Sequence, residues 1–461
     1  MSSGESILGI DLGTSSVKVI LKHRDGARTK TREAYEENTP AGWWKAVRKA
    51  MAGFDLTDLS GIGLSGQVGT YLADGQVVAG WSGREGEREL QRIKGLCSKD
   101  LFLREISMPH PDMISYPLPR LLYLRERLPE VQKVCQPKDF LYEMLTGVCV
   151  TDQYSWRGLV NQTSGRYSRK LLDLAGFPEH KLPELAGVLE APGRTRQIPL
   201  EKGMLPEGIP VFVGMNDFYA SLLGMGVLKP GELFDVTGTS EHLGAVVPDI
   251  DRDTKLVSSP YFHENVHYGV TASSGTSLDY GRRVFGFGDV DPGSCLENHP
   301  PIFLPYLNGE RAPVWDVDAR GLFFGIHGSC SEQDMAYAVL EGVAFSLYHI
   351  YEQMGMPQAE AVRVSGGAAS NRVLNQIKAE LFGLPVLVPE ETDTSALGAC
   401  MAAATGLGWS EDLETAAADF CSIQRSIEPH GRYKDVLRRR YEVYKELYPA
   451  VKNQYKHFGR I

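Results

Sequence analysis

The chain has few cysteines and no spacing that would pair them. Its seven cysteines among 461 residues are scattered, odd in number and without a Cys-x-x-Cys pair. A disulfide framework and a zinc site both depend on such spacing. We therefore exclude both kinds of site and expect reduced thiols, most of them in the core.

Positive charge and long apolar runs are also scarce. Lys and Arg total 48 against 58 Asp and Glu, which gives a formal net charge of -10. This balance argues against a general nucleic-acid binder and against a membrane-surface protein. The first residues lack a basic segment and Asp11 breaks the apolar run that follows, so we predict no signal peptide and no membrane span. We expect a cytoplasmic protein that has neither nucleic acid nor membrane as a partner.

The sequence does contain alternating strand and helix patterns over a long chain. A length of 461 residues exceeds what one hydrophobic core usually supports, so we expect two domains. The alternation predicts the α/β class. The turn-rich segment Val227–Gly231 is the best candidate for a boundary. The predicted domains are residues 1–228 and residues 229–461.

One phrase occurs twice, about half the chain apart. Residues 8–20 and residues 233–245 each contain an apolar run, an Asp, a Gly-Thr-Ser corner and a second run. This order predicts a β-hairpin. The corner offers closely spaced backbone N–H groups and small hydroxyls, the donors that a phosphate needs. Two such corners facing each other would hold a polyphosphate from both sides, although an ordinary hairpin turn would explain either corner alone.

A second pair of segments strengthens the case for an ancient duplication. Residues 62–67 and residues 362–367 are both a short strand that runs into Ser-Gly. With the hairpins, they suggest that two related halves face one another across a cleft.

Six motifs follow one another along the chain. They are Asp11-x-Gly-Thr-Ser-Ser, Ser65-Gly66-Gln67, Gly214-x-x-Asp217, Thr237-Gly238-Thr239-Ser240, Asn308-Gly309-Glu310-Arg311-x-Pro313 and Ser365-Gly366-Gly367-Ala368. In this order they resemble the FGGY carbohydrate kinases, in style the xylulose-kinase-like members, within the actin, heat-shock-chaperone and sugar-kinase superfamily. The resemblance covers residues 7 to about 407. It implies two ribonuclease-H-like (actin-like ATPase) domains that flank a cleft, bind ATP and phosphorylate a hydroxyl of a small sugar or polyol.

Two acidic residues carry the chemistry that the resemblance implies. Asp217 is expected to be the general base that takes the proton from the sugar hydroxyl as its oxygen attacks the γ-phosphorus. Since Asp217 ends a predicted strand and begins a helix, N-capping is the alternative, and both roles can hold together. Asp11 is expected to be a partner of Mg²⁺, because a carboxylate beside a phosphate needs a cation between them. The alternative for Asp11 is an Asp that caps its own turn. Asp217 is the second residue expected near the metal.

The resemblance also assigns a site for ATP, which together with Mg²⁺ is the expected cofactor. The predicted phosphate-binding residues are Gly13, Thr14, Ser15, Lys18, Gly238, Thr239 and Ser240, and the predicted adenosine-binding residues are Gly366, Gly367, Ala368 and Asn371. Lys18 has an equal alternative as a solvated strand lysine. The segment 366–371 has the alternative of a plain strand-to-helix turn.

The predicted sugar site departs from the family pattern. Many relatives read Ser-Gly-Gln-x-His-Gly and later Trp-x-Asp-x-Arg, whereas this chain has Gly69 in place of the His and lacks the Asp. The predicted substrate-binding residues are Gln67, Trp81, Arg84, Asp217 and Phe218.

Two further groups of polar residues have structural interpretations. The cluster from Asp152 to Arg157, which includes Tyr154 and Trp156, could compensate in the sugar site, but a surface loop is the favoured interpretation. Glu310 and Arg311 are expected to form a structural ion pair.

The predicted function is ATP-dependent phosphorylation of a hydroxyl, most simply a primary one, of a ketose such as a pentulose or a heptulose. The alternatives are a polyol kinase and a non-catalytic sugar- or nucleotide-binding protein on the same fold. The expected partner is a small-molecule sugar, with a homodimer as an option for the assembly.

Overall fold

The computed structural model describes residues 5–109, 113–161, 164–238, 240–288 and 290–458. It has the predicted α/β class and divides into two compact units. The first unit comprises Met1–Gly226 and Asp393–Cys421, and the second comprises Val227–Thr392 and Ser422–Ile461. Within the described residues, every helix is too short or too polar to cross a membrane.

The strands are numbered in chain order. They are β1 (Ser6–Leu12), β2 (Ser16–His23), β3 (Arg28–Ala34), β4 (Leu59–Gly66), β5 (Tyr71–Ala73), β6 (Gln76–Ala79), β7 (Val134–Cys135), β8 (Val150–Thr151), β9 (Val160–Asn161), β10 (Arg166–Tyr167), β11 (Glu184–Leu185), β12 (Gly193–Arg194), β13 (Ile198–Pro199), β14 (Met204–Leu205), β15 (Pro210–Asn216), β16 (Leu233–Thr237), β17 (Glu241–Val247), β18 (Val257–Tyr261), β19 (Glu264–Val270), β20 (Ile302–Leu304), β21 (Leu322–Phe324), β22 (Val362–Gly366), β23 (Val386–Pro389) and β24 (Ile423–Ile427).

The helices are numbered in the same way, and one short 3₁₀ helix covers Glu179–Lys181. They are α1 (Pro40–Met51), α2 (Glu87–Leu96), α3 (Lys99–Ile106), α4 (Pro117–Arg127), α5 (Pro137–Thr146), α6 (Arg169–Ala175), α7 (Asp217–Gly224), α8 (Ser274–Val284), α9 (Pro292–Glu297), α10 (Glu332–Gln353), α11 (Arg372–Phe382), α12 (Thr394–Gly406), α13 (Leu413–Phe420) and α14 (Lys434–Phe458).

A six-stranded sheet forms the centre of the first unit, in the order β12-β15-β4-β1-β2-β3. β1, β2 and β3 are antiparallel neighbours, and β4 and β15 add to β1 in parallel. The predicted hairpin is therefore confirmed, with β1 and β2 joined by a three-residue corner. β1 is buried along its whole length, which explains its nearly continuous apolar sequence. Its apolar side chains join a core with those of α1 and α5.

The second unit repeats this arrangement around a seven-stranded sheet. The order is β18-β19-β17-β16-β22-β23-β24, and the antiparallel pair β16–β17 takes the place of β1–β2. β22 and β23 then add in parallel, as β4 and β15 do in the first unit, and β24 closes the edge in antiparallel as β12 does. The second predicted hairpin is also confirmed. The core of the second unit lies between this sheet and the helices α10, α11 and α14.

Helix α12 belongs to the first unit, although the sequence assigned all of residues 229–461 to one domain. The helix is built almost entirely of small residues and packs on β1, β4 and α7. Glycines on these elements allow its backbone to come close, since a Cβ on Gly63 would overlap the Ala399 carbonyl oxygen and a Cβ on Gly224 that of Thr394. Because of this close packing, Asp393–Cys421 belongs to the first unit. No local sequence pattern predicts this return of the chain. The first change of unit lies between Gly226 and Val227, two residues before the predicted boundary.

We expect Gly398→Ala to destabilise the protein, because its Cβ would overlap the Ala220 carbonyl oxygen across the α7–α12 contact. Overpacking of this kind costs about 1–3 kcal/mol of the free energy of unfolding. The matched control is Gly95→Ala in α2, where an added Cβ meets nothing within 4 Å, so stability should be unchanged or slightly higher. Thermal and urea unfolding measure both. Equal effects of the two substitutions would contradict the close α7–α12 contact.

Candidate functional site

The first Gly-Thr-Ser corner connects β1 to β2 and is fixed through its glycine. The Gly13 amide donates to the Ser16 carbonyl at 3.1 Å. The Gly13 carbonyl accepts from the Tyr35 hydroxyl at 2.9 Å and from Gln67 Nε2 at 3.1 Å. Residues 14–15 are exposed. The corner is thus held by its backbone, and its Thr and Ser are exposed.

The second corner connects β16 to β17 and is tighter. The Gly238 amide donates to the Ser240 carbonyl at 2.7 Å. The strand residues on either side are joined by a bond of 2.7 Å from the Thr237 hydroxyl to Glu241 Oε1. Gly238 is exposed and Ser240 half-buried, whereas Thr239 lies outside the described residues.

The two corners carry their acidic residue at different positions. Asp11 stands two residues before its Gly-Thr-Ser corner, but Asp235 stands three residues before. Because successive strand side chains point to opposite faces, the two carboxylates lie on opposite faces of equivalent strands. The register agrees, since Asp11 pairs with Ser65 of β4, and Val236 pairs with Ser365 of β22. The second hairpin therefore has Val236 at the position of Asp11.

Asp11 is a buried carboxylate whose two oxygens are held by hydroxyls. Oδ1 accepts from the Ser65 hydroxyl at 2.9 Å, and Oδ2 accepts from the Ser395 hydroxyl at 2.6 Å. The Lys18 ammonium lies 3.9 Å from Oδ2. The alternative of an Asp that caps its own turn does not describe these contacts, because both hydroxyls come from other elements. Ser395 is 384 residues away in the chain and reaches Asp11 through the return of α12.

Lys18 lies beside Asp11 rather than extending alone into solvent. Cross-strand pairing places it opposite Asp11, and its ammonium is 3.5 Å from Asp393 Oδ1. Asp393 also contacts the Lys30 ammonium at 3.1 Å. The lysine side chain is about a quarter exposed.

Asp217 is the first residue of α7, and the predicted junction of strand and helix is confirmed. The cap, however, is Asn216, whose Oδ1 accepts from the Tyr219 amide at 3.1 Å. Asp217 Oδ1 accepts only from the amide of Phe218, at 2.8 Å. Among the described residues, none donates a hydrogen bond to its Oδ2. Asn216 therefore caps the helix instead of Asp217, and one oxygen of Asp217 is available for other chemistry.

Burial, together with the negative charge of Asp11, raises the pKa of Asp217 to about 7. The Phe218 amide and the positive charges of Lys18 and Arg157 oppose that rise. A carboxyl with such a pKa can gain and lose a proton near neutral pH, as a general base must.

The predicted sugar-site residues do not all come together. Gln67 is buried, and its amide is engaged by the Gly13 carbonyl and the Thr70 hydroxyl. Phe218 is buried beside Asp217. Trp81 is more than a third exposed, and Arg84 forms an exposed bidentate pair with Glu87 at 2.9 and 3.0 Å. Gln67 therefore supports the first Gly-Thr-Ser corner, and Arg84 faces solvent.

Gly69 occupies the position at which the family pattern has a histidine. It has φ of 82°, and a Cβ there would lie 2.8 Å from Ser115 Cβ. The Gly69 amide donates to Gln136 Oε1 at 2.8 Å. A side chain at this position would therefore be strained in this backbone conformation.

The cluster at residues 152–157 is buried, and its interpretation as a surface loop is wrong. Asp152 accepts from the Tyr154 amide at 2.7 Å and pairs with the Lys138 ammonium at 3.0 Å. The Trp156 indole donates to Asp139 at 3.0 Å. Lys138 is fully buried and also donates to a carbonyl of β15. Sequence patterns missed this network because its charges are paired between α5 and a distant turn.

The expectation of an ion pair between Glu310 and Arg311 is also wrong. Glu310 Oε1 accepts instead from the amides of Ala272 and Arg311, at 2.6 and 2.7 Å. Burial raises the pKa of Glu310 to about 7. These bonds fix the backbone of two loops in the second unit.

The predicted adenosine-binding segment is the turn between β22 and α11. Gly366 has φ of 84°, and a Cβ there would overlap the Thr237 carbonyl oxygen. Gly367 is exposed with open space where a Cβ would stand, and Ala368 is buried. Asn371 caps α11 through its Oδ1, which accepts from the Leu374 amide at 3.0 Å. The segment is therefore a strand-to-helix turn with an open surface at Gly367.

The acidic residues fit a magnesium ion that is held in part through water. Mg²⁺ takes one or two carboxylates and completes its shell with water and phosphate oxygens. Asp11 and Asp217 are close enough for one to raise the pKa of the other, and Asp217 has an oxygen that no described residue engages. In the described part of the chain no cluster of three or more His, Cys, Asp or Glu forms a metal cage. The site suits a cation that arrives with a phosphate ligand.

Sequence reasoning missed Ser395, Asp393 as a partner of Lys18, and Tyr35. No periodicity in the sequence indicates that Ser395 reaches Asp11.

Comparisons with known proteins agree over nearly the whole chain. The family models described as the N-terminal and C-terminal domains of the FGGY family of carbohydrate kinases match residues 6–224 and 292–407. A xylulose kinase of Lactococcus lactis is 29% identical across 99% of this chain and 97% of the relative. A gluconokinase of Bacillus subtilis is 25% identical across 97% of this chain and 96% of the relative.

A solved structure shares the fold. The xylulose kinase from Lactobacillus acidophilus superposes with a TM-score of 0.83 at 23% identity, covering 98% of this chain and 100% of the other. The predicted two-domain α/β fold is thereby confirmed.

We expect Asp217→Asn to raise stability in a pH-dependent way. A carboxyl whose pKa is raised on folding contributes stability at low pH that is lost as pH rises through about 7. The amide cannot ionise, so the variant should be more stable than the wild type at pH 8, by on the order of 2–4 kcal/mol, with little difference at pH 4. Urea unfolding at several pH values measures this.

The matched control for this measurement is Asp279→Asn, at an exposed aspartate paired with Arg282. Its difference from the wild type should not grow between pH 4 and pH 8. A constant difference for Asp217→Asn as well would show that Asp217 ionises normally.

Proposed function

The chain belongs to the FGGY family of carbohydrate kinases and is an ATP-dependent sugar kinase, and we propose that Asp217 is its general base toward a hydroxyl of a ketose. The observation that carries this proposal is the state of the Asp217 carboxyl. One oxygen is oriented by the Phe218 amide, the other has no donor among the described residues, and the pKa is about 7. That combination is what a base in proton transfer needs at neutral pH.

In the proposed reaction, Asp217 Oδ2 accepts the proton of the sugar hydroxyl. The hydroxyl oxygen forms a bond to the γ-phosphorus, and the bond from that phosphorus to the bridging oxygen of ADP breaks. The products are a sugar phosphate and ADP, with the proton left on Asp217. The buried surroundings of Asp217 favour its neutral form, so they support proton uptake during the transfer.

The phosphates are assigned to both Gly-Thr-Ser corners. Support comes from the exposed Thr and Ser at residues 14–15, the Lys18 ammonium and the exposed Gly238. Preorganised donors of this kind neutralise charge without reorganising during the reaction. The second unit would also hold adenosine at residues 366–371, where Gly367 leaves an open surface for a flat base.

Mg²⁺ is assigned to the oxygens of Asp11 and Asp217, directly or through water. When bound, the ion would offset the negative charge of the transferred phosphoryl group. The hydroxyls of Ser65 and Ser395 hold the Asp11 carboxylate in one orientation, and Lys18 contributes positive charge beside it.

A ketose such as a pentulose is the proposed substrate, with its primary hydroxyl as the acceptor. The relative at 29% identity is named a xylulose kinase, which supports a pentulose. A second candidate is a sugar acid, favoured by the gluconokinase at 25% identity and by the positive charge of Arg157 near Asp217. The glycine at position 69, where the family pattern has a histidine, gives a reason to test both, along with polyols. Membership of the kinase family decides against the non-catalytic alternative.

A panel of purified sugars tests the substrate. We expect ADP release to be stimulated most by one pentulose or heptulose, and much less by aldoses, polyols and aldonates. Discrimination should be strong, because a polar site leaves buried groups unpaired when a hydroxyl is missing. Strongest stimulation by gluconate or another aldonate would replace the ketose proposal with the sugar acid.

Asp217→Asn tests the general base. We expect kcat to fall by about 10²–10⁴ while the Kd for ATP stays within about twofold, because the amide cannot accept the proton. Asp279→Asn is again the control and should retain wild-type kcat. In the wild type, kcat/KM should fall as pH drops below about 7, since only the ionised carboxylate acts as a base. A variant that keeps wild-type kcat would remove Asp217 from the mechanism.

A further inference from the structure

Three charged side chains are completely buried in the second unit, next to the hairpin corner between β16 and β17. The Lys378 ammonium lies 2.5 Å from Asp235 Oδ2 and 2.8 Å from Glu241 Oε1. Each of the three residues is at most 1% exposed. Burying charges is costly unless they are paired with good geometry, as these three are.

The triad, as we call Asp235, Glu241 and Lys378, brackets the corner at residues 238–240. Asp235 lies on β16 before the corner, and Glu241 is the first residue of β17 after it. The hydroxyl of Thr237 donates to the same Glu241 oxygen that Lys378 contacts. Both ends of the corner are therefore tied to one ammonium group.

The same ammonium belongs to α11, the helix that follows residues 366–371. Thr237 links the two places again through its backbone, because its carbonyl accepts from the Gly367 amide at 3.2 Å. In the parallel ladder, Thr237 is the partner of Gly366. The corner and the turn are thus joined by a side-chain bridge through Lys378 and by a backbone bridge through Thr237.

The two acids of the triad share one ammonium group. Burial and the adjacent Glu241 carboxylate raise the pKa of Asp235 well above its ordinary value. The Lys378 ammonium contacts one carboxylate oxygen of each acid and offsets their negative charge. The acids on the two sides of the corner are thus held by one positive group.

We propose that the triad of Asp235, Glu241 and Lys378 is the positioning group of the nucleotide site in the second unit. It fixes the distance between the corner at 238–240 and the turn at 366–371, so that the phosphates and the adenosine of one nucleotide are bound at the same time. This inference rests on the ATP site of the proposed function. It assigns Lys378 a role in nucleotide affinity, although Lys378 does not touch the nucleotide.

Lys378→Met is the first test, because Met keeps the length of the side chain and removes its charge. We expect the Kd and the KM for ATP to rise by about 10–100-fold, since small misplacements of binding groups have effects of that size. The KM for the sugar and the Kd for adenosine alone should stay within twofold, because neither ligand spans the corner and the turn. Isothermal titration with ATP, ADP and adenosine provides the Kd values.

Lys138→Met is the matched control. Lys138 is also fully buried between two acids, Asp152 and Asp139, but in the first unit and on α5. Both substitutions should lower the thermal midpoint to a similar degree. Only Lys378→Met should weaken ATP binding, which separates a positioning role from a general loss of stability. Lys378→Arg, which keeps the positive charge, should restore most of the affinity.

Thr237→Val decides the case if Lys378→Met does not fold. It keeps all three charged groups and the backbone bond to Gly367, and removes only the hydroxyl that ties the corner to Glu241. We expect about a fivefold to tenfold higher Kd for ATP and an unchanged Kd for adenosine. An unchanged Kd for ATP, or an equal rise for adenosine, would overturn the role of the triad. Failure of the wild type to bind ATP would instead overturn the proposed function, and this inference with it.

Discussion

The close contact of α12 with the first sheet is the constraint on which the site depends. Glycines on β1, β4 and α7 let the helix backbone approach where any side chain would overlap a carbonyl oxygen. That approach carries Ser395 to the carboxylate of Asp11 and Asp393 to the ammonium of Lys18. Asp11 and Lys18, which lie on either side of the corner at 13–15, are therefore oriented by a segment far away in the sequence. Packing density, rather than local sequence, sets the geometry of the chemistry.

The protein accepts an electrostatic cost at Asp217. Its half-buried carboxyl lies near another acid, and one of its oxygens lacks a donor among the described residues. An acid at this position could have stabilised the helix as its cap, but Asn216 caps it instead. Asp217 is therefore free for the proton transfer that we propose. Groups with strongly shifted pKa values that no structural role explains are typical of active sites.

Two halves of the same topology carry different chemistry because of a one-residue offset. In the first hairpin Asp11 accepts hydrogen bonds from Ser65 and Ser395. In the second, Asp235 lies on the opposite face of its strand and pairs with Lys378. The strand period of two converts that single position into a change of face. The acid of one half is held by two hydroxyls, while the acid of the other half is paired with a buried ammonium group.

The sequence by itself determined both hairpins, the start of α7 at Asp217, the α/β class and the family, because each is encoded in local patterns or in ordered motifs. It misplaced the cluster at Asp152 and the pair at Glu310, since burial and hydrogen-bond partners depend on segments that are distant in the chain. Only the tertiary structure decided that Asp393–Cys421 packs with the first unit, that Ser395 meets Asp11 and that Lys378 bridges two acids. The physical reason is that these contacts arise from close backbone approach and desolvation, which no periodicity in a single sequence records.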